Sequence, residues 1–131
     1  LNLLPLICYE IIFPELVQNS TKETNLLVNI SEDGWFGNSI GPHQHFSHSI
    51  FRAIEEGKNL IRSTNNGITA YVNSKGQILE RIESTDKGVI EVENYKTQNK
   101  TLFSMYGNKI FFYFLLFYIT LIFFLRKKEI K

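Results

Sequence analysis

Cysteine is nearly missing from this sequence: Cys8 is the one example in 131 residues. A single thiol excludes an internal disulfide, so redox compartment is not legible from cysteine pairing. An excess of either charge is missing too. There are 14 Lys and Arg against 13 Asp and Glu, a formal net charge of +1. That balance supplies no field for a nucleic-acid partner. No internal repeat and no signal peptide is visible. Methionine is missing from position 1, and the chain opens directly on an apolar run. A piece of a longer protein is expected to begin in this way.

What is present is unevenly spread. Residues 1–108 have the mixed composition of a soluble domain. Over 110–125 every residue is apolar or aromatic except Thr120, 16 residues in all. As a helix this run is about 24 Å long at 1.5 Å per residue. A spanning helix needs about 17–25 residues, so the run is slightly short; snorkelling of the flanking Lys109 and Arg126 closes the gap. A helix apolar on all sides must be wholly buried, and a domain this small has little core to bury it in. The run reads as a membrane span. Arg126, Lys127, Lys128 and Lys131 follow it, opposed only by Glu129. The positive-inside rule then predicts a cytoplasmic C-terminus and a domain on the other side. The expected division is a domain over 1–93, a linker over 94–108, a transmembrane helix over 109–126 and a cytoplasmic tail over 127–131.

Within the domain, residues 3–7 read as a short buried strand. Pro14 opens a helix, because proline suits a first helical position. Residues 25–30, NLLVNI, are a continuous apolar run, as in a strand buried on both faces. Residues 31–42, SEDGWFGNSIGP, hold three Gly and one Pro and read as a loop. Pro42 opens a second helix, with Phe46, Ile50, Ala53 and Ile54 at helical spacing and Gly57 as its stop. Residues 59–64, 68–73, 77–82 and 88–93 read as strands, with tight turns at 65–67 and 74–76. Strand, helix, strand, loop, helix and antiparallel strands make an α/β layered domain.

Several residues stand out chemically. Cys8 follows an apolar strand, and strand ends of α/β sheets face a crevice. It is either a nucleophile, which needs a base or cation nearby, or a small buried hydrophobe, as free cysteines usually are. Trp35 and Phe36 are large apolar groups on a loop; they either meet lipid or pack over the core. His43, His45 and His48 cluster, but no cysteine or carboxylate completes a tetrahedral set, so no metal is expected; Gln44 and His45 are read as anchors of the preceding loop. Arg52 and Glu55 are three apart and can pair on one helix face, either solvated or as a buried scaffold. Arg62 precedes STNNG and reads as a structural or interface residue rather than a catalytic one.

PLICYEIIFPELV, NLLVNISEDGWFGNSIGPHQHF and RAIEEGKNLIRSTNNGITAYVNSKGQI, in this order and before an apolar helix, resemble apolipoprotein N-acyltransferase. That bacterial membrane family belongs to the nitrilase, or carbon–nitrogen hydrolase, superfamily. The resemblance runs from about residue 3 to 83. It implies part of an α-β-β-α sandwich followed by one C-terminal transmembrane helix. It also implies that Cys8, in a C-Y-E triplet, is the nucleophile. Cys8 would take an acyl chain from a phospholipid donor as a thioester and pass it to the amino group of a diacylglyceryl prolipoprotein. Tyr9 follows the nucleophile, and its backbone N–H is the candidate oxyanion donor. Glu10 supports the site by hydrogen bonds, or else is a surface carboxylate. Trp35 and Phe36 are the candidate lipid-binding residues. No cofactor or metal is implied.

The family's glutamate base and its lysine lie upstream of the cysteine, and none of the seven residues before Cys8 is Glu or Lys. The chain alone is therefore expected to be inactive, with an upstream half as a partner. The family reads Asn-Asp where this sequence has Glu32-Asp33, so Glu32 departs from the pattern. The implied location is the bacterial inner membrane, with the domain periplasmic. The rival readings are an amide- or nitrile-cleaving relative with an anchor, and a membrane-tethered remnant without catalysis.

Overall fold

Two kinds of strand share one sheet. In the computed structural model, which describes residues 1–20, 23–93 and 100–129, the five strands lie in the order β1-β2-β3-β4-β5. β1 (Leu3–Ile7), β2 (Leu26–Glu32) and β3 (Asn59–Asn65) are parallel. Their apolar runs suit strands that need crossover helices. α1 (Pro14–Ser20) and α2 (Gly41–Glu56) are those crossovers. β4 (Thr69–Val72) and β5 (Ile78–Ile82) then fold back antiparallel. Asn66 has φ 55° in the first turn and Gly76 has φ 79° in the second. Both are residue types that tolerate the left-handed region.

The core lies between the sheet and the two helices. Leu6, Leu27, Leu60, Ala70 and Val72 pack there against Val17, Phe46 and Ala53. Each such large side chain fully removed from water contributes about 1.5–3 kcal/mol. α2 starts one residue before Pro42 and ends at Gly57, whose φ of 63° lets its N–H reach the carbonyls of Ala53 and Ile54. The fold is α/β, a mixed sheet with helices on one face. On the other face Ile7 and Ile30 are exposed, and among the described residues there is no second sheet.

The structure corrects several readings. β1 is an edge strand, and of its five residues only Leu6 is buried. An edge has one neighbour, so an apolar run there is not covered on both sides. β2 extends through Glu32, and Gly34–Phe36 forms a short 3-10 turn, so the 31–42 loop is smaller than its glycines suggest. Residues 88–93 are not a strand. Their alternation is right for one, but no strand of the described residues lies beyond β5 to pair with them.

In the 94–108 segment, 94–99 lie outside the described residues. Leu102–Tyr106 forms a short helix, α3, capped by the Thr101 hydroxyl, which accepts the Ser104 N–H at 3.0 Å. α4 (Lys109–Glu129) follows. Its stretch Lys109–Arg126 has a mean hydropathy of 1.9 and none of it is buried, so it is long and apolar enough to cross a membrane. Of the 127–131 tail, residues 130 and 131 lie outside the described residues.

Candidate active site

The register Ile7↔Ile30↔Ser63 brings the C-terminal ends of the three parallel strands side by side. Whatever follows each strand meets at one edge, the usual place for a site in such sheets. Cys8 follows β1. It has φ 49° and begins a 3-10 turn, Cys8–Ile12. A non-glycine residue in this region costs about 1–3 kcal/mol and persists only where its surroundings over-determine it.

Those surroundings are visible. Glu10 Oε2 accepts the Ile7 N–H at 2.7 Å and closes the turn. Asn29 Nδ2 donates to the carbonyls of Leu6 at 2.9 Å and Cys8 at 3.3 Å. The thiol is half-buried, and its Sγ lies 3.6 Å from Ser31 Oγ.

Below the thiol lies a buried polar network. Asn29, Ser31 and Asp33 alternate along β2 and its exit, and all three are buried. Arg62, wholly buried on β3, is their hub. One guanidinium nitrogen donates to Asn29 Oδ1 and to Ser49 Oγ on α2; the other donates to Asp33 Oδ2 at 2.8 Å. Asp33 Oδ1 accepts from Ser31 Oγ at 2.8 Å and from His45 Nδ1 at 2.9 Å. A carboxylate only accepts, so His45 carries its proton on Nδ1.

Burial alone would push the Asp33 carboxyl up. The His45 hydrogen bond, the Arg62 charge and the Ser31 hydrogen bond outweigh it and hold Asp33 below its ordinary value. Burial lowers the Arg62 guanidinium, opposed by the Asp33 charge; a group so basic stays charged. Two arms thus run from Arg62 to Cys8. Asn29 carries one to its carbonyl, and Asp33 with Ser31 carries the other to its sulfur.

The remaining candidates divide. The Tyr9 ring stacks on His45 at 5.2 Å, and Phe36 sits 6.1 Å from Tyr9 and 5.8 Å from His45, so both join the site. Trp35 is 86% exposed and does not pack over the core. Glu10 is an exposed residue whose carboxylate is nonetheless bound to the turn. His45 anchors the loop through Asp33, while His43 and His48 are exposed. Arg52 pairs with Glu55 at 2.9 Å as a largely buried pair at the far end of α2.

Glu32 accepts from the Gly34 N–H at 2.7 Å, from Asn66 Nδ2 at 2.9 Å and from Asn65 Nδ2. Three donors converge there, which suits an acceptor-only carboxylate better than an amide.

Asn29, Ser31 and Ser49 were not legible as site residues in the sequence. One signal did exist. Asn29 and Ser31 interrupt an apolar strand at a period of two, with Asp33 next in line, which marks a polar stripe on one sheet face.

The carbon–nitrogen hydrolase family matches residues 2–94. Among curated relatives, the apolipoprotein N-acyltransferase of Vibrio parahaemolyticus is 45% identical over 108 residues, 82% of this chain and 21% of its own length. That of Wigglesworthia glossinidia brevipalpis is 38% identical over 130 residues, 98% of this chain and 26% of its own. The chain thus spans about a quarter or less of these relatives. Among solved structures, a carbon–nitrogen hydrolase from Helicobacter pylori aligns with a TM-score of 0.54 at 17% identity, over 63% of this chain and 36% of that one. An amidase from Nesterenkonia sp. AN1, carrying a covalent acetamide moiety at its active-site cysteine, aligns with a TM-score of 0.52 at 22% identity, over 63% and 34%. At that identity the two structures speak for the fold. With its strand-end cysteine, its mixed sheet and a match over most of its length, the chain belongs to the carbon–nitrogen hydrolase family.

Proposed function

We propose that this chain carries the nucleophile of an apolipoprotein N-acyltransferase. The observation that carries the reading is Cys8, held at positive φ at a parallel strand end with its thiol half-buried, in a chain whose curated relatives bear that name. Cys8 Sγ attacks the ester carbonyl of a phospholipid acyl chain. The S–C bond forms, the ester C–O bond breaks, and the lysophospholipid leaves with a proton. The amino group of the diacylglyceryl prolipoprotein then attacks the thioester. An N–C bond forms, the S–C bond breaks, and the proton lost by the amine returns the sulfur to a thiol. Splitting the transfer in two replaces one slow aminolysis with two easier steps.

The Tyr9 backbone N–H is proposed to donate to the oxyanion. Trp35 and Phe36 are proposed to meet the lipid. The base and the stabilising lysine are proposed to come from an upstream half, because a thiol needs a neighbouring base to act as a nucleophile and none of the seven residues before Cys8 is Glu or Lys. The chain by itself is then inactive. α4 anchors it in the bacterial inner membrane, with the domain periplasmic and the C-terminus cytoplasmic.

Co-expression with an upstream half tests this. Acyl-Cys8 should be trapped by mass spectrometry, and the adduct should vanish in Cys8→Ser. Turnover by the purified chain alone would refute the dependence on an upstream half, and an unacylated Cys8 in the assembled pair would refute the function.

A further inference from the structure

Ser31 has no role in the steps above, yet among the described residues its side chain is hydrogen-bonded to the nucleophile. It is buried on β2 between two groups, Asp33 Oδ1 at 2.8 Å and Cys8 Sγ at 3.6 Å. A serine hydroxyl has one hydrogen and two lone pairs. Asp33 is wholly buried and ion-paired to Arg62 at 2.8 Å. As a carboxylate it can only accept. The single hydroxyl hydrogen therefore goes to Asp33, and Ser31 turns a lone pair towards the sulfur.

We propose that Ser31 is a positioning residue that accepts the Cys8 S–H bond and holds the nucleophile as an oriented thiol until its proton is removed. The inference rests on the reading of Cys8 as the acyl-transfer nucleophile, but it concerns the thiol alone. The bookkeeping of one hydrogen gives its direction. With the thiol intact, Ser31 serves both neighbours. Once the sulfur is ionised, the hydroxyl can donate either to the thiolate or to Asp33, and one bond is lost. Ser31 thus favours the thiol by one weak S–H···O bond. Arg62 and His45 make this possible, because they keep Asp33 charged and fixed.

The titratable and charged groups around Cys8 come from four elements. Tyr9 and Glu10 lie on its own turn, and Glu10 is tied to the Ile7 N–H. Glu32 and Asp33 lie at the end of β2, His45 on α2 and Arg62 on β3. Ser31→Ala takes one hydrogen bond from Asp33, which keeps those of His45 and Arg62, so the charges around the thiol stay in place while the hydroxyl is removed.

The test uses the chain's single cysteine. Alkylation of Cys8 by iodoacetamide is followed against pH in detergent micelles. In Ser31→Ala the midpoint should fall by about half a unit, with alkylation below it about threefold faster. Ser31→Thr, which keeps the hydroxyl, should restore the original profile. An unchanged or raised midpoint in Ser31→Ala would overturn the proposal, because it would make Ser31 a bystander or a donor to the thiolate. A second measurement needs no variant. The infrared S–H stretch of the folded chain should lie below that of the urea-unfolded chain, and a stretch at the unfolded frequency would also overturn it. Neither readout uses an acyl donor, so failure of acyl transfer and failure of this inference are separate results.

Discussion

Among single residues, Arg62 carries the most consequence. Its guanidinium is wholly buried and binds both Asn29, which holds the Cys8 carbonyl, and Asp33, which holds Ser31. Removing one partner of a buried pair leaves the other charged and uncompensated, at a cost of about 3–5 kcal/mol. Arg62→Met should therefore destabilise the domain by that order in urea unfolding followed by circular dichroism. The double variant Arg62→Met/Asp33→Leu should lose less than the sum of the two single changes, because no orphan charge remains. Additive losses would mean that Arg62 acts by packing rather than by charge. The sequence flagged Arg62 as structural but gave no partner. Which groups a buried arginine meets depends on strand register, and the register Asn29↔Arg62 is a property of the sheet.

At the scale of elements, the turn between β3 and β4 reaches the same network. A Cβ on Gly67 would lie 2.3 Å from Asp33 Oδ2 and 2.7 Å from Asp33 Cβ and Cγ. Asp33 is pinned by three partners and cannot move aside cheaply. Gly37 is the contrast: it has φ 54° and nothing within 4 Å of an added Cβ. Gly37→Ala meets no clash, only the backbone penalty of a conformation open essentially to glycine, φ 54° with ψ −147°, at about 1–3 kcal/mol. Gly67→Ala should lower the melting temperature more than Gly37→Ala, and it alone should change the alkylation profile of Cys8. Equal losses would show that the turn tolerates the shift. Elements of this kind were largely legible. Pro42 and Gly57 bracket α2 because their backbone limits are local, and Asn66 marks its hairpin for the same reason. Residues 88–93 misled because alternation describes a strand's faces and is silent about its neighbour. The cover of β1 misled likewise, since an edge strand and a central one can carry the same apolar run.

For the whole molecule, the domain and α4 ask for different solvents. No residue of the apolar stretch Lys109–Arg126 is buried. In water that surface is unfavourable at about 25 cal/mol per Å², and nothing among the described residues covers it. At the centre of a bilayer each Leu, Ile or Phe instead contributes about −0.3 to −0.6 kcal/mol to insertion. Polar contacts tie the domain to α3 and to the residue before α4: Gln18 Nε2 donates to the Phe103 and Ser104 carbonyls at 3.2 and 3.3 Å, and Asn108 Nδ2 donates to Glu15 Oε1 at 3.3 Å. Such contacts place α1 beside the start of the span without burying it. The full chain should stay in the membrane pellet through a carbonate wash, and a chain ending at Asn108 should not. Retention of the shortened chain would mean that the domain itself binds lipid. The scarcity of cysteine then reports orientation. In spheroplasts a membrane-impermeant maleimide should label Cys8 before lysis if the basic end after α4 lies in the cytoplasm. Labelling only after lysis would place the domain, and the thiol with it, on the cytoplasmic side.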